Sequence, residues 1–257
     1  MNQELKQHVL KALDAEIRFD GRKLTEFRSI EIETNVSKNA EGSARVKIGE
    51  TEVMAGIKLG VEKPFMDTPE DAILMVGTEL LPMASPDFET GPPDDQSIEL
   101  SRVVDRGIRE SKAIELKKYC IKKGEKVWSI LVDIVAINDA GNLLDAAALA
   151  VIVALKNTRF PKYENDAINY KELTKEVLSI KKIPIAVTVV KIGEKLLVDP
   201  SLEEEQVMDA KLTVTSTTEG IICALQKGGF IGLSTQDIDL MLSLGMEKAK
   251  ELAKLIG

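Results

Sequence analysis

The sequence predicts a mixed α/β (α+β) protein made of two related halves, in each of which strands come first and a helix comes last. Two hairpin patterns support this prediction: residues 43–48 pair with residues 51–59, and residues 212–217 pair with residues 221–226. Each joins two strand-like apolar runs across a short turn, as antiparallel strands do. A long apolar or amphipathic helix follows the strands of each half, which indicates sheets covered by helices.

The elements of the first half follow from the spacing of its apolar residues. Residues 3–17 carry an apolar stripe at helical spacing and predict an amphipathic helix, which leads into a turn at Asp20-Gly21-Arg22. The elements that follow are a strand at residues 30–32, the first hairpin, a loop at 64–71, a strand-like run at 72–83 and a loop at 86–95.

A strand and a helix that are both buried complete the first half. Residues 126–138, KVWSILVDIVAIN, are apolar on much of both faces, which is typical of a strand covered on both sides. The turn at residues 139–142 leads into a helix at residues 143–155 that is apolar almost all round. Such a helix must lie between two layers of the fold.

The second half begins after a polar connection that has some helical pattern. We expect the first half, with its N-terminal helix, to span residues 1–160, the connection residues 161–182, and the second half residues 183–257. The elements of the second half are strands at residues 183–190 and 196–198, the second hairpin, and a final helix from its cap Ser234 to about residue 256.

The composition excludes several classes of site. The formal net charge is −8, whereas a dedicated nucleic-acid-binding domain is usually basic, so any contact with nucleic acid must be local. His8, the single histidine, is predicted on the surface of a helix, which nearly excludes histidine triads and histidine-ligated zinc. No P-loop, dinucleotide-binding glycine pattern or CxxC pair occurs, and we expect no cofactor and no metal.

Cysteine usage and hydropathy predict a cytoplasmic protein. Cys120 and Cys223 lie far apart with no metal-ligand spacing around either, which predicts two reduced, buried thiols. No apolar run reaches the ~18 residues of a membrane-spanning helix. Charges interrupt the apolar residues near the N-terminus, where a signal peptide would have none.

Residues 91–111 predict an amphipathic helix with arginines on its exposed face. At about 100° per residue, Arg102, Arg106 and Arg109 fall within roughly 60° of each other, opposite a face of apolar and small residues. The turn before this helix is acidic. The arginines are interpreted either as a solvated face that neighbouring acids partly neutralise, or as guanidinium groups that bind a phosphate backbone in a fork.

Four short blocks occur in order along the chain: Asp20-Gly21-Arg22, Ile98-Glu99-Leu100-Ser101, Asp139-Ala140-Gly141 and Asp199. Each is unspecific alone, but together at this spacing they resemble the RNase PH family, from about Asp20 to the end of the chain. More narrowly, the chain looks like the non-catalytic RNase PH-like subunits of the archaeal exosome ring. The resemblance implies an RNase PH-like fold of two related halves.

The resemblance implies phosphorolysis as the chemistry of the assembly. Inorganic phosphate attacks the last linkage at an RNA 3′ end, and a nucleoside diphosphate leaves. Two anions must be held together for this reaction, so an active site needs arginines and backbone donors. Acidic groups then assist proton transfer or hold a divalent ion.

The chain departs from active members of the family at two anion-binding positions. Active members have an Arg-Arg pair just before the Ile-Glu-Leu-Ser block, where this chain has Asp95 and Gln96. They also have Ser or Thr followed by Arg after Asp-Ala-Gly, where this chain has Asn142 and Leu143. Two charges ~4 Å apart interact by roughly 4 kcal/mol at a surface-like dielectric, which is about a thousandfold in rate. We therefore expect a subunit with no catalytic residue of its own.

The acidic pair of active members, two aspartates six residues apart in the second half, is incomplete in this chain. Asp209 matches one of the two. The position of the other stays open, because the segment before it carries either a glutamate substitution or a short deletion. We expect Asp199 and Asp209 to be structural or solvent-facing.

By the same resemblance, the chain alternates with a catalytic RNase PH-like partner in a ring of six, three of each. It completes the ring, structures the partner's active site and contributes to the binding of single-stranded RNA, and RNA-binding cap subunits are further expected partners. Arg102 and Arg106 match residues that bind RNA beside the partner's active site, whereas Arg109 matches none. Lys58 and Lys63 are interpreted as solvated loop residues in preference to an RNA entry path.

Two alternative functions stay open. The first is an exoribonuclease active in its own right, with a rearranged site around Asp199 and Asp209. Phosphate-dependent shortening of RNA by the purified chain alone would favour it. The second is an assembly scaffold that makes no contact with RNA, which crosslinking of RNA in a complete ring would exclude.

Overall fold

Two sheets, with helices between and beside them, form the framework of the computed structural model, which describes residues 3–256. The elements of the first half are α1 (Gln3–Asp14), β1 (Ile30–Thr34), β2 (Gly42–Ile48), β3 (Thr51–Glu62), β4 (Ile73–Glu79), α2 (Asp95–Glu110), a short 3-10 helix (Leu116–Tyr119), β5 (Cys120–Lys122), β6 (Lys126–Asn138) and α3 (Leu143–Lys156). The elements that follow are β7 (Arg159–Glu164), β8 (Ala167–Val177), β9 (Pro184–Ile192), β10 (Lys195–Val198), α4 (Leu202–Val207), β11 (Ala210–Thr217), β12 (Ile222–Gly228) and α5 (Thr235–Ile256).

The first sheet has the strand order β1-β2-β3-β6-β4, and β5 pairs with β6 outside this path. Neighbouring strands are antiparallel except β4, which runs parallel to β6 and forms one edge of the sheet. The β2–β3 hairpin turns at residues 49–50, where the φ of Gly49 is +59°. Glycine adopts this left-handed conformation without the steric cost of a Cβ atom.

The second sheet has the strand order β10-β9-β11-β12 and is antiparallel throughout. Helix α5 covers β9 and β11, and α3 packs on β2 and β3 of the first sheet and on β9 of the second. Because α3 has a sheet on both sides, it is apolar almost all round and most of its side chains are buried. Helix α1 packs on the second sheet through a smaller core made of Val9, Leu13, Val190, Ile192, Leu197 and Val207.

Most of the predicted elements are confirmed. The strand at residues 126–138, the helix that begins at residue 143 and both hairpins are present. The final helix begins after Ser234, whose Oγ accepts a hydrogen bond from the backbone N–H of Asp237 (3.1 Å). The helix predicted at residues 3–17 ends at Asp14, and the strand-like run at residues 72–83 is a strand only over Ile73–Glu79.

The prediction of helical structure in the connection at residues 161–182 is wrong, because most of this segment forms the β7–β8 hairpin. Strand β8 is exposed along nearly its whole length, so no apolar alternation marks it as a strand. The turn residues Asn165 and Asp166 have φ values of +50° and +61°, the left-handed pair of a type I′ hairpin turn. The sequence pattern also did not predict the short helix α4.

Candidate functional site

Helix α2 begins where the sequence supplies a cap. The Asp94 carboxylate accepts a hydrogen bond from the backbone N–H of Ser97 (2.8 Å), and Asp95 lies in the first turn, where the helix dipole stabilises a negative charge. The acidic approach to the helix therefore helps to start it. The predicted apolar face is buried and consists of Leu100, Val103, Val104, Gly107, Ile108 and Ser111.

The opposite side of α2 exposes Arg102, Arg106 and Arg109, here called the arginine face. The three guanidinium groups differ in their partners. Arg109 forms an ion pair with the Asp105 carboxylate (2.8 Å) and donates a further hydrogen bond to the backbone carbonyl of Leu74. Arg109 is thereby tied to its own helix and to β4.

Arg106 and Arg102 keep more of their donors free. Nη2 of Arg106 donates to Oε1 of Gln226 (2.7 Å) on β12, and Nε2 of the same glutamine donates to Glu99 (3.2 Å). Arg102 makes no hydrogen bond or ion pair through its side chain with any residue from 3 to 256. It borders an open groove of about 660 Å³ between α2 and β4. A guanidinium has five N–H donors, so both residues can still bind phosphate oxygens.

A second candidate site lies at the N-terminus of α3, after the turn at residues 139–142. The φ of Gly141 is +89°, and a Cβ atom there would lie 2.5 Å from the carbonyl oxygen of Pro200. Asp139 accepts a hydrogen bond from the backbone N–H of Gly141 (3.0 Å). The turn therefore requires glycine, and it holds the start of α3 close to the segment that leads into α4.

The side chain of Glu205, in α4, accepts a backbone hydrogen bond at the N-terminus of α3. The N–H of Asn142 donates to Oε1 of Glu205 (2.9 Å). The N-terminus of a helix is a general site for anions, and in this chain the anion is one of its own side chains. Burial raises the pKa of the Glu205 carboxyl to about 7. The sequence interpretation missed Glu205, because three consecutive glutamates give no sign of which one faces inward.

A cavity of about 70 Å³ remains beside Glu205, and we call it the α3 cleft. Three acidic side chains line it, those of Glu99, Asp139 and Glu205, against one basic side chain, that of Lys211. Burial also raises the pKa of the Asp139 carboxyl. Gln96 lines the cleft as well, at one of the two positions where active family members are expected to have arginine.

Glu205 and Lys211, which are six residues apart, both line the α3 cleft. Asp209 does not line the cleft. Its carboxylate accepts a hydrogen bond from the backbone N–H of Gly193 (2.7 Å) and pairs with Lys6 of α1. The Asp209 carboxylate therefore faces the side of the second sheet that α1 covers.

Asp199 is fully buried and binds two arginines of the segment before β1. Arg28 donates from Nε (2.9 Å) and Nη2 (2.7 Å), and Arg22 donates from Nη1 (2.8 Å). Asn142 adds a hydrogen bond from Nδ2 (2.9 Å). Burial by itself raises the pKa of the Asp199 carboxyl, but the hydrogen bonds and charge of Arg28 outweigh it and hold that pKa below its ordinary value.

The rearranged active site around Asp199 and Asp209 has no support in the structure, because these two carboxylates bind different groups. Asp199 faces Arg22 and Arg28, whereas Asp209 faces Lys6. Each carboxylate is neutralised by a cation of the chain itself.

Two further buried charges escaped the sequence interpretation. Asp145 lies inside α3 and accepts hydrogen bonds from the backbone N–H (2.9 Å) and Oγ1 (2.7 Å) of Thr188, and burial raises the pKa of its carboxyl to about 7. One acidic residue in an otherwise apolar helix is the signal that the sequence offers. Arg18 is buried against Glu204, to which its Nε donates (2.8 Å), and nothing in the spacing of its neighbours marks it.

The remaining candidates lie outside both sites. Nζ of Lys58 pairs with Glu41 (2.7 Å), and Lys63 is exposed in the loop after β3. Cys120 and Cys223 are free, but the expectation that they are buried is wrong: both are half-buried, since they lie on outlying strands with solvent on one side. His8 is exposed on α1, as predicted.

Metal-binding and membrane-spanning features were also sought. Within residues 3–256, no group of three or more His, Cys, Asp or Glu side chains is arranged to hold a metal ion. None of the helices in this range is both long and apolar enough to cross a membrane.

Two family models match most of the chain. The model for domain 1 of the 3′ exoribonuclease family matches residues 26–161, and the model for domain 2 matches residues 182–248. The exosome complex component Rrp42 of Methanothermobacter thermautotrophicus is 46% identical over 243 residues, which cover 93% of this chain and 89% of that relative. The component of the same name from Methanocella arvoryzae is 48% identical over 235 residues, which cover 91% and 88%.

Solved structures agree with these matches. A chain in the structure of the Archaeoglobus fulgidus exosome with RNA bound to the active site superposes with a TM-score of 0.93 at 45% identity, covering 99% of this chain and 98% of that one. A chain of an archaeal exosome core gives a TM-score of 0.88 at 42% identity, covering 99% and 96%. Rice Rrp46, at 20% identity and a TM-score of 0.69 over 93% of this chain and 98% of that one, shows the shared fold alone.

Proposed function

The chain belongs to the 3′ exoribonuclease (RNase PH) family, and we propose that it is a non-catalytic subunit of a hexameric exosome ring. In this proposal it alternates with a catalytic RNase PH-like partner, three of each, and the ring degrades single-stranded RNA 3′→5′ by phosphorolysis. The chain completes the ring, structures the partner's active site and holds RNA through Arg102 and Arg106.

The hydrogen bond from the Asn142 backbone N–H to Glu205 carries the non-catalytic part of the proposal. The resemblance implies that active members bind inorganic phosphate at the residues directly after Asp-Ala-Gly, and Asn142 is the first of these in this chain. Glu99 and Asp139 line the same cleft, and Lys211 alone opposes them. At ~4 Å and a surface-like dielectric, a carboxyl of this cleft would oppose a phosphate charge by roughly 4 kcal/mol when it is ionised. A cleft of about 70 Å³ with this charge does not support phosphate attack.

The free donors of Arg102 and Arg106 support the RNA-binding part of the proposal. Both guanidinium groups are exposed, and neither is neutralised by a carboxylate. Arg109 is left out of this role because the Asp105 carboxylate neutralises its charge and its Nη2 donates to the Leu74 carbonyl. The face is local, in keeping with a chain whose net charge is −8.

Two open sheet edges lie beside the arginine face. They support the proposal that a partner subunit binds there. Strands β4 and β12 are the outermost strands of the two sheets, and both contact α2. They expose the apolar side chains of Met75, Ile222 and Leu225. Unpaired strand edges with exposed apolar residues are features that proteins usually cover. A partner that covers them would hold RNA between itself and α2.

The test of RNA binding is Arg102→Glu combined with Arg106→Glu in a ring reconstituted with the catalytic partner. We expect about a hundredfold weaker binding of single-stranded RNA at low salt, because two attractive contacts become repulsive. The ring should keep its mass. Fluorescence anisotropy with labelled RNA measures the affinity, and mass measurement checks assembly.

Arg45→Glu with Lys47→Glu is the matched control, since it makes the same change of charge on β2, away from α2. This control should bind RNA as the unmodified ring does. Unchanged affinity of the Arg102 and Arg106 variant at low salt would contradict the proposed RNA contact and leave the chain as an assembly scaffold.

A further inference from the structure

A cation-rich cavity lies at the C-terminal end of α2, beyond the arginine face. It has a volume of about 580 Å³, large enough for a nucleotide, and we call it the basic pocket. Its floor is apolar and consists of the buried side chains of Leu74, Ile108 and Ile114. The lining comes from segments far apart in the sequence, from residue 71 to residue 182, so the pocket depends on the folded chain.

The rim of the basic pocket is strongly positive for a chain whose net charge is negative. Two carboxylates line it, those of Asp71 and Glu115. The cations of its lining are Arg109, Lys112, Lys117, Lys181 and Lys182. With Asp105, the ion-pair partner of Arg109, included, five cations and three acids give a formal charge of +2, whereas the whole chain carries −8.

Three of these cations have no partner within the part of the chain that the structure describes. Lys181 pairs with Glu115, but the side chains of Lys112, Lys117 and Lys182 make no hydrogen bond or ion pair with residues 3–256. Lys112 also has a φ of +54°, a conformation that costs energy for a residue with a Cβ atom. Three unpaired ammonium groups around an apolar floor form a site that favours an anion with an apolar body.

We propose that the basic pocket binds a nucleotide, with its base and ribose on the apolar floor and its phosphates at Lys112, Lys117 and Lys182. Asp71 also lines the pocket, and its carboxylate is an acceptor of the kind that the amino groups of a base need. The nucleotide has two possible sources, a free nucleoside diphosphate or one residue of an RNA strand. The second source rests on the proposed function.

The position of the pocket favours the RNA strand as a source. Leu74 and Arg109 line both the basic pocket and the groove beside Arg102, so the two spaces adjoin. An RNA strand held at Arg102 could therefore continue over Arg109 into the pocket. Phosphate contacts along this path would be independent of sequence.

The test titrates the full-length chain with ADP by calorimetry, and separately with a fluorescein-labelled oligoadenylate. The variant is Lys112→Glu with Lys182→Glu, and the matched control is Lys171→Glu with Lys175→Glu, which makes the same change of charge on the exposed strand β8. We expect the variant to bind ADP at least tenfold more weakly than the control. Thermal unfolding checks that both variants remain folded.

The oligoadenylate arm is measured with Arg102→Glu and Arg106→Glu also present, so that the arginine face no longer contributes. Tenfold weaker binding of both ligands by the lysine variant supports a general nucleotide site, and weaker binding of the oligonucleotide alone identifies RNA as the source. The proposal is overturned if the chain binds neither ligand, if the lysine variant binds both as tightly as the control, or if an acidic peptide binds where nucleotides do not. The ADP measurement does not require the ring, so its failure leaves the proposed function intact.

Discussion

The arginine face of α2 and the α3 cleft are two sites where this chain can bind an anion. They differ in the source of the anion, which is an external ligand on the arginine face and a side chain of the protein itself in the cleft. On the arginine face, Arg102 and Arg106 are exposed and free of carboxylate partners. In the α3 cleft, Glu205 accepts the Asn142 backbone hydrogen bond that an incoming anion would need. In the function that we propose, phosphate binding is lost not only because arginines are replaced but also because a side chain of the same protein fills the site.

The largest effect on the free energy of unfolding should come from neutralising Asp199, the buried carboxylate that anchors the turn before α3. Asp199→Asn leaves Arg22 and Arg28 facing a neutral amide, and breaking a buried ion pair costs about 3–5 kcal/mol. Asparagine is chosen because it tolerates the φ of +49° at this position. Urea denaturation measures the free energy of unfolding.

Glu33→Gln is the control for this prediction, because it neutralises an exposed acid that pairs with Arg45. Exposed pairs contribute little, so its stability should match that of the unmodified chain. Equal stability of the Asp199→Asn variant and the control would show that Asp199 does not anchor the turn before α3.

The second largest effect is the pH dependence of the free energy of unfolding that the Glu205 carboxyl causes. Its folded pKa of about 7 exceeds the ordinary value of 4.5, so between about pH 4.5 and 7 the folded chain holds more protons than the unfolded chain. The Glu205 carboxyl therefore stabilises the folded chain at low pH, and this stabilisation is lost as pH rises through that range. Burial and Asp139 raise this pKa, whereas Lys211 and Arg28 oppose them.

Glu205→Gln removes the titration but keeps an oxygen that can accept the Asn142 hydrogen bond. Relative to the unmodified chain, this variant should gain up to about 3 kcal/mol as pH rises from 4.5 to 8. Urea denaturation at several pH values measures the difference. A difference that is independent of pH would show that Glu205 titrates normally and is not buried against α3.

A smaller effect, on RNA affinity, is expected from Arg102, whose side chain makes no hydrogen bond or ion pair within residues 3–256. Arg102→Ala should weaken RNA binding by the reconstituted ring about tenfold and reduce the slope of log affinity against log salt by about 0.7, the value for one phosphate contact on a single strand. Salt titrations by fluorescence anisotropy measure both quantities. An unchanged slope would place Arg102 outside the phosphate contacts.

The smallest effect tests how Arg106 is held. Gln226→Ala removes the hydrogen bond that orients this guanidinium and leaves its charge in place. RNA affinity of the ring should fall only about twofold, because the guanidinium charge that attracts phosphate stays and only its orientation is less restricted. A loss as large as that of Arg102→Ala would mean that Gln226 itself contacts RNA.

The fold was largely predictable from the sequence because its core elements have strong apolar patterns. Residues 126–138 and 143–155 are apolar on nearly all sides, and each is buried between layers as expected. The β7–β8 hairpin was not predictable from apolar periodicity, because β8 is exposed and polar. There the Asn165-Asp166 turn was the better signal.

The arginine face was equally predictable, because helical spacing fixes which side of α2 is exposed. The α3 cleft was not, since it joins Glu99, Asn142 and Glu205 from three distant segments. No local spacing distinguishes Glu205 from its neighbours in the run of three glutamates. The surroundings of Asp209 were not predictable for the same reason, because packing against α1 sets the direction in which its carboxylate points.

The most direct test of the account is the release of nucleoside diphosphates from RNA in the presence of inorganic phosphate. It is measured for the purified chain, for the ring with an active partner, and for the ring with an inactivated partner. We expect release only by the ring with the active partner. Phosphate-dependent release by the chain alone, or by the ring with the inactivated partner, would contradict it and show that the α3 cleft is an active site.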